Sequence, residues 1–405
     1  MCLQRIEILA YAAVGRLTRG GGWWWRVALC AGVLTLCVAT PSFEWVGGSE
    51  ALSRVDSKLR RTGLVYPTYT REALRQQIEA PLTPQEHQPH MHAAKLELRL
   101  TMPLLAWTFG LKLHHLFALQ FMGGFGLFAL AALLIYRAAG DRIVAALLAF
   151  ALACVPPGTA AFNDSVGYFT GIALLLLLTA MWSRAPLVVG LCVPAAAFTD
   201  ERAAVASGFV LLWWVWHDVI ERGGSLKAKH AGRIAAVVLG GIVYAGLRFR
   251  LAERYGLRTP VGPDAYVGTS VLFGDCWHVL PGVFFALEAL WLFLLPAIWV
   301  GLRRYGAFGW AFGGMVVVQI AVAASVYSHT RSAAYLLPAL FIATAVLTKV
   351  VSARELRVLM LVAFGLCLIV PTISIIQRYA YPSVSLPVRL FGWYVKASGR
   401  PVPDL

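Results

Sequence analysis

From residue 116 to residue 374 the sequence is a near-unbroken succession of apolar stretches parted by short polar breaks, and few folds accept such a chain. A helix crossing a bilayer needs about 20 mostly apolar residues, because its backbone N–H and C=O groups must be satisfied within the segment itself. That template predicts a first span over 25–42, then spans over 116–136, 143–159, 166–183, 186–199, 203–220, 233–248, 280–301, 307–327, 332–349 and 355–374, about eleven in all. The segment 186–199 is short and broken by Pro194, and 100–111 is too short to cross, so 100–111 reads as an interfacial or re-entrant helix. The predicted fold is all-α. It is a single polytopic transmembrane helix bundle over 1–405 with a helical loop after the first span.

Composition excludes the alternatives. Hydrophobic residues make up 59 % of the chain and charged residues 14 %, with a mean hydropathy of +0.70. A soluble domain carries about 25 % charged residues. Too few polar side chains are present to cover a water-facing surface, which excludes a soluble globule, a disordered chain and a disulfide-stapled module. Five of the seven cysteines, Cys30, Cys37, Cys154, Cys192 and Cys367, lie in apolar runs, where Cys behaves as a small hydrophobe. No disulfide framework is expected. The net charge of +15 would suggest a nucleic-acid partner in a soluble protein. Here no nucleic-acid-binding motif accompanies it, and Lys and Arg instead report orientation.

With the N-terminus inside, sixteen Lys and Arg fall in cytoplasmic segments, against six in the short outer loops. The expectation is a multi-pass protein of the cell membrane with a cytoplasmic N-terminus. Trp23, Trp24 and Trp25 before the first apolar run mark an anchored, uncleaved helix rather than a signal peptide, and no lipidation motif is present. Two outer loops follow, 43–99 and 249–279. The first holds candidate helices over 49–61 and 70–80, and Thr83-Pro84-Gln85-Glu86 has the outline of a capped helix start. No internal repeat is visible. Gly309-x-x-x-Gly313 fits close helix packing.

Thirteen of the twenty acidic residues and seven of the nine histidines fall on the predicted outer side, so any active centre should face outward. Glu44 and Asp56 follow the first span, where a carboxylate could take a proton from an acceptor hydroxyl; the plainer reading is a solvated loop charge. Asp164 occupies a hairpin so short that it must lie at the membrane boundary, as a turn former or as a second site carboxylate. Thr199-Asp200-Glu201-Arg202 and Ser328-His329-Thr330-Arg331 break apolar stretches with polar clusters that are costly unless they line a polar cavity. Arg202 and Arg331 carry the forked donors that suit phosphate. His87, His90 and His92 have a spacing that can bind a transition metal, although Pro89 argues against a regular helix there. Glu288 is the one acid in the middle of a predicted span, Asp218 and Glu355 lying at span ends. It serves either a function or a buried hydrogen bond to a neighbouring helix.

This layout resembles the C-type superfamily of polyprenyl-phosphate-sugar-dependent membrane glycosyltransferases. The likeness rests on the long helical first outer loop, Arg99-x-x-x-Pro103, Asp164 in the second outer hairpin, Glu201-Arg202 opening a helix and Thr330-Arg331 before a late span. The resemblance implies transfer of a sugar from a polyprenyl-phosphate carrier to an acceptor on the extracytoplasmic face. A loop-one acid, Asp56 or Glu44, would be the base, and Asp164 a ligand of a divalent metal or of the acceptor. Arg99, Glu201, Arg202, His329 and Arg331 would hold the substrate and its phosphate. Partners would be the lipid-linked sugar and membrane lipid. The competing readings are a transporter or lipid flippase, with Arg202, Arg331 and Glu288 along a path, and a polysaccharide polymerase or ligase.

Overall fold

The computed structural model describes residues 2–41, 68–85, 95–164, 166–222, 228–257, 259, 261–262, 265, 267–269, 271, 276–376 and 379–391, without 384 and 389. Among these the chain is mostly helical. The helices are α1 (Cys2–Leu17), α2 (Trp23–Val38), α3 (Thr68–Glu79), α4 (Thr101–Phe109), α5 (Leu113–Ala139), α6 (Arg142–Cys154), α7 (Pro156–Asn163), α8 (Thr170–Trp182) and α9 (Pro186–Thr199). They continue with α10 (Arg202–Asp218), α11 (Ala228–Tyr255), α12 (Cys276–Leu287), α13 (Trp291–Arg304), α14 (Ala307–Ala324), α15 (His329–Ala333), α16 (Leu337–Leu347) and α17 (Ala353–Ile369).

Five helical stretches are long and apolar enough to cross a membrane, and six if the bent pair α6–α7 counts as one span. Three shorter apolar helices, α2, α8 and α9, accompany them. The stretch His329–Leu347 is 94 % buried and forms the central staff of the bundle. α11 lies at the other extreme, with Val238, Leu239, Ile242, Val243 and Leu247 all exposed. Its apolar outer face is what a lipid-facing helix requires.

Two local devices shape the end of the bundle where the polar residues gather. Val155 precedes Pro156-Pro157, and a residue before proline is pushed to extended backbone. It sits at φ −117° and ψ 159°, with proline opening the next helix, and α7 leaves α6 at 58°. The expected straight span over 143–159 is therefore broken. The predicted span over 166–183 starts late for a related reason. A turn over 164–169 precedes α8 and is held by the Asp164 carboxylate, which accepts N–H groups from Val166 (2.9 Å), Gly167 (2.9 Å) and Phe169 (2.7 Å). Phe169 is left-handed at φ 53°, a conformation costing about 1–3 kcal/mol for such a residue. Those carboxylate bonds help maintain it.

Close packing follows the small residues. A Cβ on Gly309 would lie 2.2 Å from the backbone of Gly301, so α13 and α14 touch along their backbones. The Gly309-x-x-x-Gly313 spacing reports this contact.

Three expectations change. Thr83, Pro84 and Gln85 are not helical, and Glu86, the rest of the expected helix start, lies outside the described residues: the Gln85 N–H goes to Glu97 Oε1 (3.3 Å) and its amide donates to the Ala73 carbonyl (2.9 Å). The loop predicted to start at 249 instead continues α11 to Tyr255. The described residues are also not wholly helical. After α17, Ile373–Ile376 (β1) and Tyr379–Pro382 (β2) pair antiparallel, with Ile373 opposite Pro382. The Thr330 hydroxyl accepts the Ile375 N–H (2.8 Å), and Ser328 bridges to Ile376. The hairpin is thereby pinned over the start of α15.

Candidate functional site

Four sequence-distant segments meet at this end of the bundle: the stretch before α4, the α7–α8 turn, the α9–α10 junction and α15. Arg99 lies just before α4, its N–H bonded to the Leu96 carbonyl (2.8 Å). Its guanidinium forks onto Glu201, with Nε to Oε2 at 3.1 Å and Nη2 to Oε1 at 2.8 Å, and Nη1 lies 3.5 Å from Asp200 Oδ2. Arg202 opens α10 and turns back on Asp200, Nε to Oδ1 at 2.7 Å with a second contact from Nη2 to Oδ2. Its Nη1 donates to the Ser332 hydroxyl on the central staff (2.6 Å).

Asp200 is completely buried between these guanidiniums. Burial alone would raise its carboxyl, but Arg202 and Arg99 outweigh it and hold the group well below the ordinary carboxylate range. The two arginines and two acids balance in charge. Arg202 and Arg99 are both paired with carboxylates, and Arg99 Nη1 is buried with no hydrogen-bond partner.

Arg331 is different. Among the described residues no carboxylate lies within ion-pair distance of it, and its Nε is buried without an acceptor. Its guanidinium carbon stands 3.5 Å from the centre of the Tyr168 ring, and Arg99 approaches the same ring at 5.4 Å. The ring face partly offsets the charge but supplies no counter-ion. A second cation, Lys95, is near enough to feel it: burial, then Arg331 and Arg99, push the Lys95 ammonium down to about 8. Among the described residues the site thus carries one guanidinium without a carboxylate partner and one ammonium lowered to about 8.

Arg331 lines a cavity of about 180 Å³ together with Asn163, Asp164, Tyr168, Ser328 and Ser374 among other residues. Ser374 and Ile376 of β1 form part of its wall. The Asn163 side-chain oxygen is buried there with no partner. A forked cation, hydroxyls and an amide in one recess can hold an anion carrying hydroxyl groups.

The remaining expected residues fall elsewhere. Asp164 lines the cavity, but Gln120 Nε2 (3.3 Å) adds a fourth donor to its three backbone bonds. Each oxygen already accepts two. His329 is fully buried beside the cavity, and its Nδ1 donates to the Ala323 carbonyl (3.1 Å), since a carbonyl can only accept. Glu44, Asp56 and the histidines at 87, 90 and 92 lie outside the described residues. Among the described residues no three His, Cys, Asp or Glu side chains are grouped to hold a metal ion.

Sequence reasoning passed over Lys95 and Tyr168. Lys95 lies four residues before Arg99 in the sequence, a weak signal. No pattern marks Tyr168, whose role depends on the turn that brings it under Arg331. No family model, characterised protein or solved structure matches the chain.

Proposed function

We propose that the chain is a multi-pass protein of the cell membrane, with about eleven spans and a cytoplasmic N-terminus, that transfers a sugar from a polyprenyl-phosphate carrier to an acceptor on the extracytoplasmic face. The observation that supports this reading is Arg331, without a carboxylate partner among the described residues and with Lys95 near it, on a cavity that also carries Asn163, Ser328 and Ser374 at the end of an apolar bundle. A desolvated guanidinium without a counter-ion is costly, and a phosphate would supply the missing charge through paired N–H···O bonds.

In this reading Arg331 binds the lipid phosphate and stabilises it as the leaving group when the sugar departs. The Arg99–Glu201 and Asp200–Arg202 pairs hold the wall of the site. Thr159, Asn163 and Ser328 offer hydrogen bonds to sugar hydroxyls. The base that takes the acceptor's proton is Asp56, with Glu44 the alternate. A sugar-transfer assay in membranes with matched protein levels tests this. Asp56→Asn or Glu44→Gln should lower transfer by about 10²-fold or more at the true base. Full activity in both variants would remove the assignment.

Lys95 makes the reading pH-sensitive. Below about 8 its ammonium is charged and adds to Arg331; above it the charge is lost. A lipid phosphodiester does not titrate in this range. Its affinity should therefore fall by up to about tenfold, equivalent to ~1.4 kcal/mol, as pH rises through about 8. Binding isotherms should lose that dependence in Lys95→Met. An unchanged pH profile in that variant would exclude Lys95 from the site.

The transporter or flippase reading draws support from a different observation, the partnerless Glu288 inside a span. Export of a lipid phosphate without any sugar-transfer activity would favour it. Chain extension or ligation of a polysaccharide in the same assay would favour a polymerase or ligase.

A further inference from the structure

The span Trp277–Arg304 is interrupted in its interior. Between α12 and α13, Glu288–Leu290 forms a single 3-10 turn, and Glu288 itself takes φ 48°. A left-handed backbone at a residue with a long side chain costs about 1–3 kcal/mol and persists only where the surroundings enforce it. Nothing in the local sequence requires the break, since Pro281 and Pro296 lie in the flanking helices rather than at the turn.

The consequence of the turn is the placement of one carboxyl. Glu288 is 1 % exposed, and neither of its oxygens has a hydrogen-bond partner. Among the described residues no Lys, Arg or His lies within ion-pair distance of it, and burial is the only influence of note upon it. The turn packs against α12, α13 and α17. The titratable groups near enough to interact with the carboxyl are the thiols of Cys154, at the end of α6, and Cys367, on α17. The amides of Ala289 and Leu290 are directed at the Cys367 thiol rather than at the acid.

A bare carboxylate in such surroundings would cost several kcal/mol, so the position requires a cation. A metal ion needs several oxygen, nitrogen or sulfur ligands, and no such grouping exists among the described residues. A proton needs none. We infer that Glu288 is a proton-binding site inside the membrane-spanning bundle, with its carboxyl carried as the neutral acid. Its proton comes from water and returns to water. Release would leave a charge that no neighbour offsets, so the 3-10 turn must move for the proton to leave. The site is separate from the Arg331 cavity and does not depend on the sugar-transfer reading.

Infrared difference spectroscopy of the purified full-length protein, wild type against Glu288→Gln, tests the inference directly. The Gln side chain keeps the size and neutrality of the acid. The expected result is a protonated-carboxyl C=O band at neutral pH that is lost completely in the variant, and that bleaches in wild type in strong alkali. Identical carboxyl regions in the two spectra would overturn the inference. If Glu288→Gln cannot be purified, dicyclohexylcarbodiimide on the wild type takes its place. Among carboxyls this apolar reagent adds to the protonated acid, whose proton passes to the carbodiimide nitrogen as the carboxyl oxygen bonds its carbon. Mass spectrometry should then find an adduct at Glu288 whose yield falls as pH rises. An adduct at other carboxyls with none at Glu288 would overturn the inference.

Discussion

Replacing Asp200 by Ala is expected to cost about 3–5 kcal/mol and to leave little folded protein in the membrane, because breaking a buried pair strands the remaining charge. Asp200 is completely buried and is the only carboxylate that Arg202 contacts among the described residues. Arg99 would keep Glu201, whereas Arg202 would keep only the Ser332 hydroxyl and the ring of Tyr335 at 5.5 Å. The double variant Asp200→Ala with Arg202→Met should recover most of the loss, since it removes both charges. Thermal unfolding of the purified proteins checks this through a double-mutant cycle. Equal losses in the single and double variants would mean that the cost lies in packing rather than in the stranded guanidinium.

Arg331→Ala should behave in the opposite way. No described carboxylate depends on Arg331, so its removal orphans no acid, and the variant should fold and insert normally. Sugar transfer, in contrast, should fall by about 10²-fold or more, the effect typical of deleting a group that stabilises developing charge. Arg331→Lys should restore only part of the activity. A Lys keeps the charge but loses both the planar fork and the stacking on Tyr168 at 3.5 Å. A structural role for Arg331 would instead show as loss of folded protein in the Ala variant with recovery in neither assay.

The contrast between these two arginines shows what the sequence discloses. Arg202 and Arg331 look alike in sequence, each in a polar break between apolar stretches. They part only in three dimensions, where Asp200 folds back onto Arg202 while Arg331 reaches the cavity. The run Asp200-Glu201-Arg202 marks the place correctly but not the pairing, because Glu201 is claimed by Arg99, 102 residues earlier. Asp164 was legible as a turn former from the short Asn163-Asp164 hairpin, and its bonds to the 166–169 backbone satisfy that local reading. The apolar segments were legible because hydrocarbon permits little besides satisfied helices. Their ends were not, since proline geometry at Val155-Pro156 and the Asp164 turn decide where a helix starts or bends. The β-hairpin was hidden within a segment whose apolar character suits a helix end equally well. The backbone break at Glu288 has no local sequence signature, for it depends on what packs around it.

Binding of a polyprenyl-phosphate-linked sugar to the purified protein in lipid nanodiscs, wild type beside Arg331→Ala, tests the central claim most directly. The reading predicts saturable binding by wild type and an affinity at least about tenfold weaker, or ~1.4 kcal/mol, in the variant, with both proteins equally folded. Equal affinity in the two proteins, or no saturable binding by wild type, would contradict it.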